Sequence, residues 1–422
     1  MNAIAKEVEA QPVPRVARTQ RMTAKHLQVV VKTAERCNLA CTYCYYFFAG
    51  DERYRERPAI IPQDTVRALA EYLVAGCVDL GIPKLAIAFH GGEPMLQKPR
   101  QFDETCAAFR AAAEGRVELA FSMQTNGTLV SDRWLELLHR HGVAVGVSID
   151  GTREQHDAQR VDHRGRGSFD RVVDGIRRLQ ASNKADSTVG PAIIGVLDHR
   201  YDQGETYRFL RRELDIRRMS FLLPDVSHDH EMPNGGTALD YGRALCQLFD
   251  AWAEEDDPDI SVRVLDEFIG RIGSARAVVP LHRDRDGTTH LNYQILVAHS
   301  DGTVALNDSY TPALDWLKAA PVAKVDDGTP LRAFLDHPVF DAVDDAMLAL
   351  PAACRGCEFR GVCRGGEIEN RYSRANGFDN PSVYCEGLKL YYRHVLDWLV
   401  ANGYPAERVA ARLETAADVV DA

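Results

Sequence analysis

The chain of 422 residues has a formal net charge of −11, with 45% hydrophobic and 26% charged residues. This composition is that of a globular protein of two or three domains, and it excludes a disordered chain, a collagen-like repeat and a small disulfide scaffold. No apolar run approaches the roughly 18 residues that span a membrane, and the first residues contain no apolar h-region, so we expect no secretory signal. Acidic residues outnumber basic ones by 61 to 50, which argues against general binding of nucleic acids or anionic membranes. We therefore expect a cytoplasmic protein.

The first half of the chain alternates short apolar segments with segments of helical periodicity, after a lead-in at residues 1–25 that we predict to be flexible. The predicted strands are residues 26–33, 84–90, 117–126, 143–150, 189–197 and 219–224. The predicted helices between them are residues 65–77, 101–113, 131–141, 168–179 and 205–214. Such alternation is typical of parallel strands that are covered by helices on both faces or rolled into a barrel.

The pattern changes after residue 235. Helices are predicted at 238–255 and 263–273, followed by a hairpin of residues 292–299 and 303–306 and a closing helix at 386–402. We place a boundary near residues 260–285. The expected units are residues 26–260, residues 261–385 and a C-terminal helical segment at 386–422.

Ten cysteines are unevenly distributed along the chain, and clustered thiols in a reducing compartment more often bind metal or do redox chemistry than form disulfides. Cys37, Cys41 and Cys44 follow the first predicted strand. Three thiolates cannot complete a tetrahedral zinc site without a fourth ligand, and no histidine has the usual spacing. The same thiolates around a [4Fe–4S] cluster would leave one iron open to a small molecule. Chance spacing or core packing is the alternative.

Polar or glycine-rich segments also end the next three strands, namely FHGGEP at 89–94, QTNG at 124–127 and SIDG at 148–151. Because strand side chains alternate, Gln124 and Asn126 share one face, as do Ser148 and Asp150. Parallel barrels build their active sites at the carboxyl ends of successive strands. A turn or a loop cap explains any one of these segments, but it poorly explains all of them in register.

Together, CNLACTYC, GGEP, QTNG and SIDG resemble the motifs of radical S-adenosylmethionine (SAM) enzymes, over about residues 26–225. The resemblance implies a partial (β/α)6 barrel of the TIM type. It also implies that SAM chelates the open iron of a three-cysteine cluster and is cleaved there to a 5′-deoxyadenosyl radical. The radical then takes a hydrogen atom from a substrate whose position the protein controls.

The resemblance also implies roles for individual residues around SAM. Tyr43 would contact the adenine, and the backbone of Gly91, Gly92 and Glu93 would receive the amino group. Ser148 and Arg160 would hold the ribose and the carboxylate, and Gln124 and Asp150 belong to the same cofactor pocket. A solvated surface arginine is the alternative for Arg160. His90 lies where related enzymes place a substrate-facing polar residue, and a buried, satisfied histidine is its alternative.

A second cysteine group, Cys354, Cys357, Cys363 and Cys385, resembles the SPASM extension of radical SAM peptide-modifying enzymes. That family's seven cysteines hold two auxiliary clusters, and this chain departs from the pattern. Glu367 and Asn307 stand at two of the expected cysteine positions, and no cysteine precedes the hairpin. The four that remain match the ligand set of one cluster, so we expect a single auxiliary [4Fe–4S] cluster with no open iron. A structural zinc site is the alternative.

Asp308 follows Asn307, where SPASM enzymes carry an aspartate that accepts a proton during substrate oxidation. A turn-capping role is the alternative. The isolated Cys77, Cys106 and Cys246 lie in predicted helices with apolar neighbours, so we expect them to be small buried hydrophobes.

The aromatic-rich YCYYFF and FHGGEP segments most resemble maturases of ribosomally made peptides, including cyclophane formers that join an aromatic carbon to Cβ. The expected partners are a precursor peptide, an electron donor such as flavodoxin or ferredoxin, and a separate leader-binding protein, since about 25 residues before the first strand are too few for a leader-binding module. One alternative is the oxidation of Cys or Ser to formylglycine, as in sulfatase maturases, although that family normally keeps all seven cysteines. Thioether formation and a non-enzymatic scaffold are further alternatives.

Overall fold

A computed structural model describes residues 16–182, 191–273 and 281–421, and the strands in this part of the chain form a single sheet. The strands are β1 (Met22–Ala34), β2 (Lys84–Gly91), β3 (Glu118–Thr125), β4 (Ala144–Ser148), β5 (Ala192–Val196), β6 (Arg218–Leu222), β7 (Ser261–Val262), β8 (Leu281–Arg283), β9 (Thr289–Ala298), β10 (Thr303–Leu306) and β11 (Ala323–Lys324). The α-helices are α1 (Tyr45–Phe48), α2 (Gln63–Leu80), α3 (Pro99–Ala113), α4 (Asp132–His141), α5 (Arg153–Gln159), α6 (Phe169–Ser182), α7 (Gln203–Arg212), α8 (Ala238–Glu255), α9 (Arg263–Gly273), α10 (Leu314–Ala319), α11 (Leu331–Leu335), α12 (Pro338–Leu348), α13 (Arg360–Cys363), α14 (Cys385–Ala401) and α15 (Ala406–Asp421).

Strands β1 to β6 lie side by side in sequence order, and each pairs in parallel with the next. Helices connect them, so the predicted α/β class with a partial (β/α)6 barrel is confirmed. The bounds of α8, α9 and β10 coincide with the predictions. The first two residues of the strand predicted at 189–197 lie outside the described residues, and β5 begins at Ala192. Helices α1, α5 and α10 to α13 were not predicted, whereas α15 lies within the C-terminal helical segment predicted at 386–422.

The other side of β1 is occupied by β9, which pairs with it in parallel from Met22 opposite Thr289 to Val31 opposite Ala298. The predicted hairpin is present, because β10 runs antiparallel to β9. The sheet therefore continues across the boundary that we placed near residues 260–285.

The described part of the predicted flexible lead-in, residues 16–25, includes the start of β1, and residues 1–15 lie outside the described part of the chain. Strand β1 begins at Met22, four residues earlier than expected, because β9 offers a pairing partner that the local sequence does not reveal. Arg18 is buried, and its Nε donates to Asp344 Oδ2 at 2.7 Å. This ion pair fixes the lead-in against α12.

Aromatic side chains fill the space between the sheet and its helices, with Phe102 contacting both Phe89 and Trp134. Cys77 and Cys106 are fully buried in this core, as predicted, and Cys246 is partly buried against it. Over residues 16–182, 191–273 and 281–421, no helix combines the length and the apolar character needed to cross a membrane.

Candidate active site

The three-cysteine loop begins just after β1 and runs to the start of α1. The backbone of residues 159–161 holds it, because Ala40 N donates to Val161 O at 2.8 Å and Thr42 N donates to Gln159 O at 3.0 Å. The amide of Leu39 points at Cys37 Sγ at 3.4 Å. The loop thus carries its three thiols at the carboxyl end of the first barrel strand, where one cluster could be bound.

The GGEP segment after β2 packs directly on the chain that leads into this loop. Gly92 N donates to Ala34 O at 2.8 Å, and Glu93 N donates to Arg36 O at 2.9 Å. Gly91 has a φ of +136°, and a Cβ added there would lie 2.1 Å from Ala34 O. Glycine is therefore required where the GGEP backbone approaches the chain that leads into the cysteine loop. This approach fixes the position of the loop relative to the barrel.

Glu93 is fully buried, and its carboxylate joins β2 to the end of β3. It accepts hydrogen bonds from Thr125 Oγ1 and from Asn126 N, both at 2.7 Å. Burial raises its pKa to about 7, although these hydrogen bonds oppose the shift. Asn126 in turn donates to Asn38 Oδ1 at 2.8 Å beside Cys37, so the QTNG segment also supports the cysteine loop.

Tyr43 in the loop forms one group with Asp150 and Arg160, both of which are buried. Tyr43 Oη donates to Asp150 Oδ2 at 2.6 Å, and Arg160 Nε donates to the same oxygen at 3.0 Å. The Arg160 guanidinium lies 5.4 Å from the centre of the Tyr43 ring. Arg160 is therefore not a solvated surface residue. Gln124 Nε2 donates to Ser148 Oγ at 2.8 Å, so these polar residues at the ends of β3 and β4 are in contact.

Lys32 and Asp308 form an ion pair inside the barrel, with 2.5 Å between Lys32 Nζ and Asp308 Oδ2. The Lys32 side chain is 0% exposed, and its ammonium lies 4.5 Å from the centre of the Tyr46 ring. Tyr45, the residue after Cys44, donates to Asp308 Oδ2 at 3.1 Å. Burial opposes ionisation of Asp308, but the Lys32 charge outweighs it and holds the pKa of Asp308 below its usual value. Asp308 is therefore an ionised carboxylate next to the cysteine loop.

His90 points into the same region from β2. Burial, assisted by the charge of Lys32, lowers the pKa of His90 to about 4, so the imidazole is neutral at physiological pH. The pocket that contains Asp308 encloses about 550 Å³, part of it open to solvent, and its lining includes Tyr45, Tyr46 and His299. Its position makes it a candidate entrance for substrate.

The second cysteine group is also brought together. Cys354, Cys357, Cys363 and Cys385 line one pocket with Phe359, Leu388 and Tyr392. Thus residues that are up to 31 positions apart in sequence converge at the start of α14. The donor set of four thiols in largely apolar surroundings suits a fully ligated cluster or a zinc ion.

The positions where the SPASM pattern expects further cysteines have a different structure. Asn307 Oδ1 accepts from Ser309 N at 3.2 Å and caps the short 3-10 helix that follows β10. Next to it, Tyr310, Trp316 and Phe378 pack their rings against one another, with centroids 5.3 to 6.4 Å apart. Aromatic packing thus occupies the neighbourhood of Asn307.

Sequence reasoning missed Lys32 and Tyr45, which surround Asp308. One signal was available, because Lys32 interrupts an apolar run in a strand that is otherwise buried. Asp308 could not be recognised as its partner, since the two residues meet only through the pairing of β1 with β9.

Comparison with known proteins gives consistent results. Residues 31–210 match the family model of the radical SAM superfamily. The chain is 26% identical to a serine-type anaerobic sulfatase-maturating enzyme of Bacteroides thetaiotaomicron, over 91% of this chain and 92% of that protein. It is 25% identical to a cysteine-type anaerobic sulfatase-maturating enzyme of Clostridium novyi, over 92% of this chain and 99% of that protein.

A solved structure of native anSMEcpe with bound AdoMet has the same fold, with a TM-score of 0.74 and 21% identity over 89% of this chain and 98% of that chain. The cysteine loop, the strand-end residues and these matches lead to one conclusion: residues 31–210 form a radical SAM domain, and the enzyme is similar over nearly its whole length to the anaerobic sulfatase-maturating enzymes.

Proposed function

We propose that this enzyme oxidises a side chain of a peptide or protein at Cβ, and that a Ser or Cys residue converted to formylglycine is the first product to test. The observation that carries the proposal is the ionised Asp308, held by the buried Lys32 and joined through Tyr45 to the loop of Cys44. Similarity to sulfatase-maturating enzymes over nearly the whole chain supports the same reaction class. Formylglycine formation therefore replaces cyclophane formation as our main hypothesis.

Cys37, Cys41 and Cys44 would hold the [4Fe–4S] cluster, with Tyr43, Gly91, Gly92, Glu93, Gln124, Ser148, Asp150 and Arg160 around SAM. When bound, the cluster and SAM together would supply a 5′-deoxyadenosyl radical that takes a hydrogen atom from Cβ of the substrate. Asp150 binds both Tyr43 and Arg160, so its carboxylate would preorganise these two side chains for SAM.

After loss of the hydrogen atom, a serine side chain must lose one proton and one electron to become an aldehyde. Asp308 would accept the proton, because its carboxylate is ionised and faces the pocket. The balance is then complete once an acceptor takes the electron. Neutral His90 would lie near Asp308 and Lys32 without adding a second positive charge.

A second [4Fe–4S] cluster on Cys354, Cys357, Cys363 and Cys385 is our proposed electron acceptor. The fit rests on four thiols lining one pocket with apolar and aromatic neighbours, which would leave no iron open to substrate. Iron and sulfide analysis tests this directly, since two clusters require about eight irons per chain. Zinc at this site would remove the proposed acceptor.

An aromatic carbon–Cβ crosslink in a ribosomally made precursor remains the second candidate. The specific observation that favours it is the loss of three of the seven SPASM cysteines, with Asn307 as a helix cap beside an aromatic cluster. A precursor peptide, a flavodoxin- or ferredoxin-type donor and a separate leader-binding protein would be the partners of this reaction.

The experiment combines reduced enzyme, SAM and peptides that carry Ser or Cys, together with any short peptide that is encoded beside the enzyme's own gene. Oxidation of Ser and crosslinking both remove two hydrogens, so mass alone cannot separate them. An aldehyde that reacts with a hydrazide probe identifies formylglycine, whereas a probe-resistant product with crosslinked fragments identifies the cyclophane.

Asp308→Asn is the matched variant for the proposed proton acceptor. We expect it to form 5′-deoxyadenosine while the oxidised product falls at least about 100-fold, the usual scale of general-base loss. Wild-type levels of product from Asp308→Asn would reject the proton-acceptor role, and wild-type enzyme that never cleaves SAM would reject the whole proposal.

A further inference from the structure

A cluster of two histidines and one aspartate lies on the β8–β9 hairpin, and no part of the proposed reaction uses it. His282, Asp284 and His290 each offer one ligand atom, and these atoms all lie within 4.8 Å of one another. Among the described residues this is the one such group of three. We propose that these three side chains bind one divalent transition-metal ion, and that Zn²⁺ is the ion their donor set fits best.

The backbone places the three residues on one face of the hairpin. His282 on β8 stands opposite His290 on β9 in the antiparallel register. Asp284 follows His282 by two residues, and its N–H donates to Thr288 O at 2.8 Å to close the turn. Because side chains alternate along a strand, Arg283 leaves on the other side, where it pairs with Asp345 at 2.7 Å. No strained backbone is needed to bring the ligands together.

The distances between the side chains are close to those of a metal site. His290 Nε2 and Asp284 Oδ2 are 2.9 Å apart, and the rings of His282 and His290 stack with centroids 4.7 Å apart. In a tetrahedral zinc site, bonds of about 2.0–2.1 Å place neighbouring ligand atoms about 3.3 Å apart. Small rotations of His282 and Asp284 therefore suffice.

Thr23 on β1 provides the orienting contact that metal-bound histidines usually have. Its Oγ1 lies 2.8 Å from His290 Nδ1, and Thr23 and His290 are paired in the β1–β9 register. With a metal on Nε2, Nδ1 carries the proton and donates it to this hydroxyl, which fixes the ring and its tautomer. Two imidazoles, one carboxylate and a water would complete the four-coordinate shell that Zn²⁺ prefers.

The site lies near the start of β9 and away from the three-cysteine loop, which follows the carboxyl end of the neighbouring strand β1. The step of eight positions from His290 to Ala298, the last residue of β9, is about 26 Å along an extended strand. The ion would join β8 to β9 and, through Thr23, to β1. Its effect would be to stabilise the pairing of these strands, and it does not depend on the function proposed above.

The test is anaerobic equilibrium dialysis of the iron-loaded enzyme against micromolar ZnCl2. We expect wild type to bind one zinc more than His282→Gln, an exposed substitution that leaves the fold intact. Thr23→Val keeps the three ligands and should bind zinc about tenfold more weakly, because it removes only the orienting hydroxyl. Equal zinc binding by wild type and His282→Gln would overturn the proposal.

His394→Gln is the matched control, because His394 also pairs with an aspartate, Asp250, at 2.5 Å but belongs to no group of three in the described chain. It should bind zinc as wild type does, and a loss as large as that of His282→Gln would also overturn the proposal. In a second measurement, zinc should slow amide hydrogen exchange over residues 281–291 in wild type and leave His282→Gln unchanged. The same slowing in both proteins would contradict the assignment.

Discussion

The two cysteine sites of this enzyme differ in the side chains that surround them. Around Cys37, Cys41 and Cys44 the structure places ion pairs and hydrogen bonds, with Asp150 bound to both Tyr43 and Arg160. Around the four later cysteines it places mainly apolar and aromatic groups, Phe359, Leu388 and Tyr392, with Arg360 and Lys389 also on the lining. Three thiols among paired charged groups suit an iron that must also bind a polar small molecule. Four thiols in a mainly apolar lining suit a site that is closed to ligands.

The largest effect is expected at the first site. Cys41→Ala should reduce formation of 5′-deoxyadenosine more than about 100-fold, because loss of a ligand exceeds the 10–100-fold typical of outer-shell changes. Liquid chromatography of the reaction products measures it, with Cys246→Ser as a control outside both groups. If Cys41→Ala kept wild-type SAM cleavage, the two sites could not have the roles assigned above.

Cys385→Ser should separate the second site from the first. Iron should fall from about eight to about four per chain, while SAM cleavage continues and the oxidised peptide is lost. Metal analysis and product quantitation from the same preparation give both numbers. Zinc in the wild-type protein, or an unchanged iron content in the variant, would contradict an auxiliary cluster at this site.

Lys32→Met tests whether the positive charge of Lys32 controls the pKa of Asp308. The Lys32 charge lowers the pKa of Asp308 against the effect of burial, so its removal should raise that pKa. Product formation would then be lost at a higher pH as the solution is acidified, with the acid limb moving up by about one to three units. His90, His299 and Lys32 all lie near Asp308, so Lys32→Arg, which keeps the charge, is the necessary control and should restore the wild-type limb.

Gly91→Ala tests the backbone that supports the first site. Its φ of +136° and the 2.1 Å approach of a Cβ to Ala34 O predict a loss of about 2–4 kcal/mol and displacement of the cysteine loop. Gly81 has a φ of +66° at the end of α2 with nothing within 4 Å of its Cβ, so Gly81→Ala should cost only about 1–2 kcal/mol. Thermal unfolding midpoints and iron content compare the two variants. Equal losses would mean that contact with Ala34 is unimportant.

Cys106→Ala should have the smallest effect, because Cys106 is a packing residue that belongs to neither site. A small cavity in the α3 core should cost about 1–2 kcal/mol and leave the iron content unchanged. The unfolding midpoint and an iron assay measure both quantities. A loss of iron would show that the division of the ten cysteines into three, four and three is wrong.

The sequence predicts the parts of this molecule that depend on local pattern. Strands β1 to β6, the helices α2 to α4, α6 and α7 between them, the helices α8 and α9, and the strand-end motifs all follow from periodicity and turn residues within short windows. The parallel pairing of β1 with β9 cannot be predicted in this way, because no local pattern in residues 22–34 indicates a partner so distant in the chain. The pair of Lys32 and Asp308 depends on that pairing, so only one half of it could be anticipated.

The same pairing has a consequence for biosynthesis. A ribosome releases β1 long before it makes Asp308, so the nascent barrel contains the Lys32 ammonium without its counter-ion. Burying an unpaired charge is costly, and β1 cannot settle between β2 and an absent β9 until the hairpin emerges. We therefore expect the cysteine loop to reach its final shape, and to accept iron, only after the β9–β10 hairpin has formed.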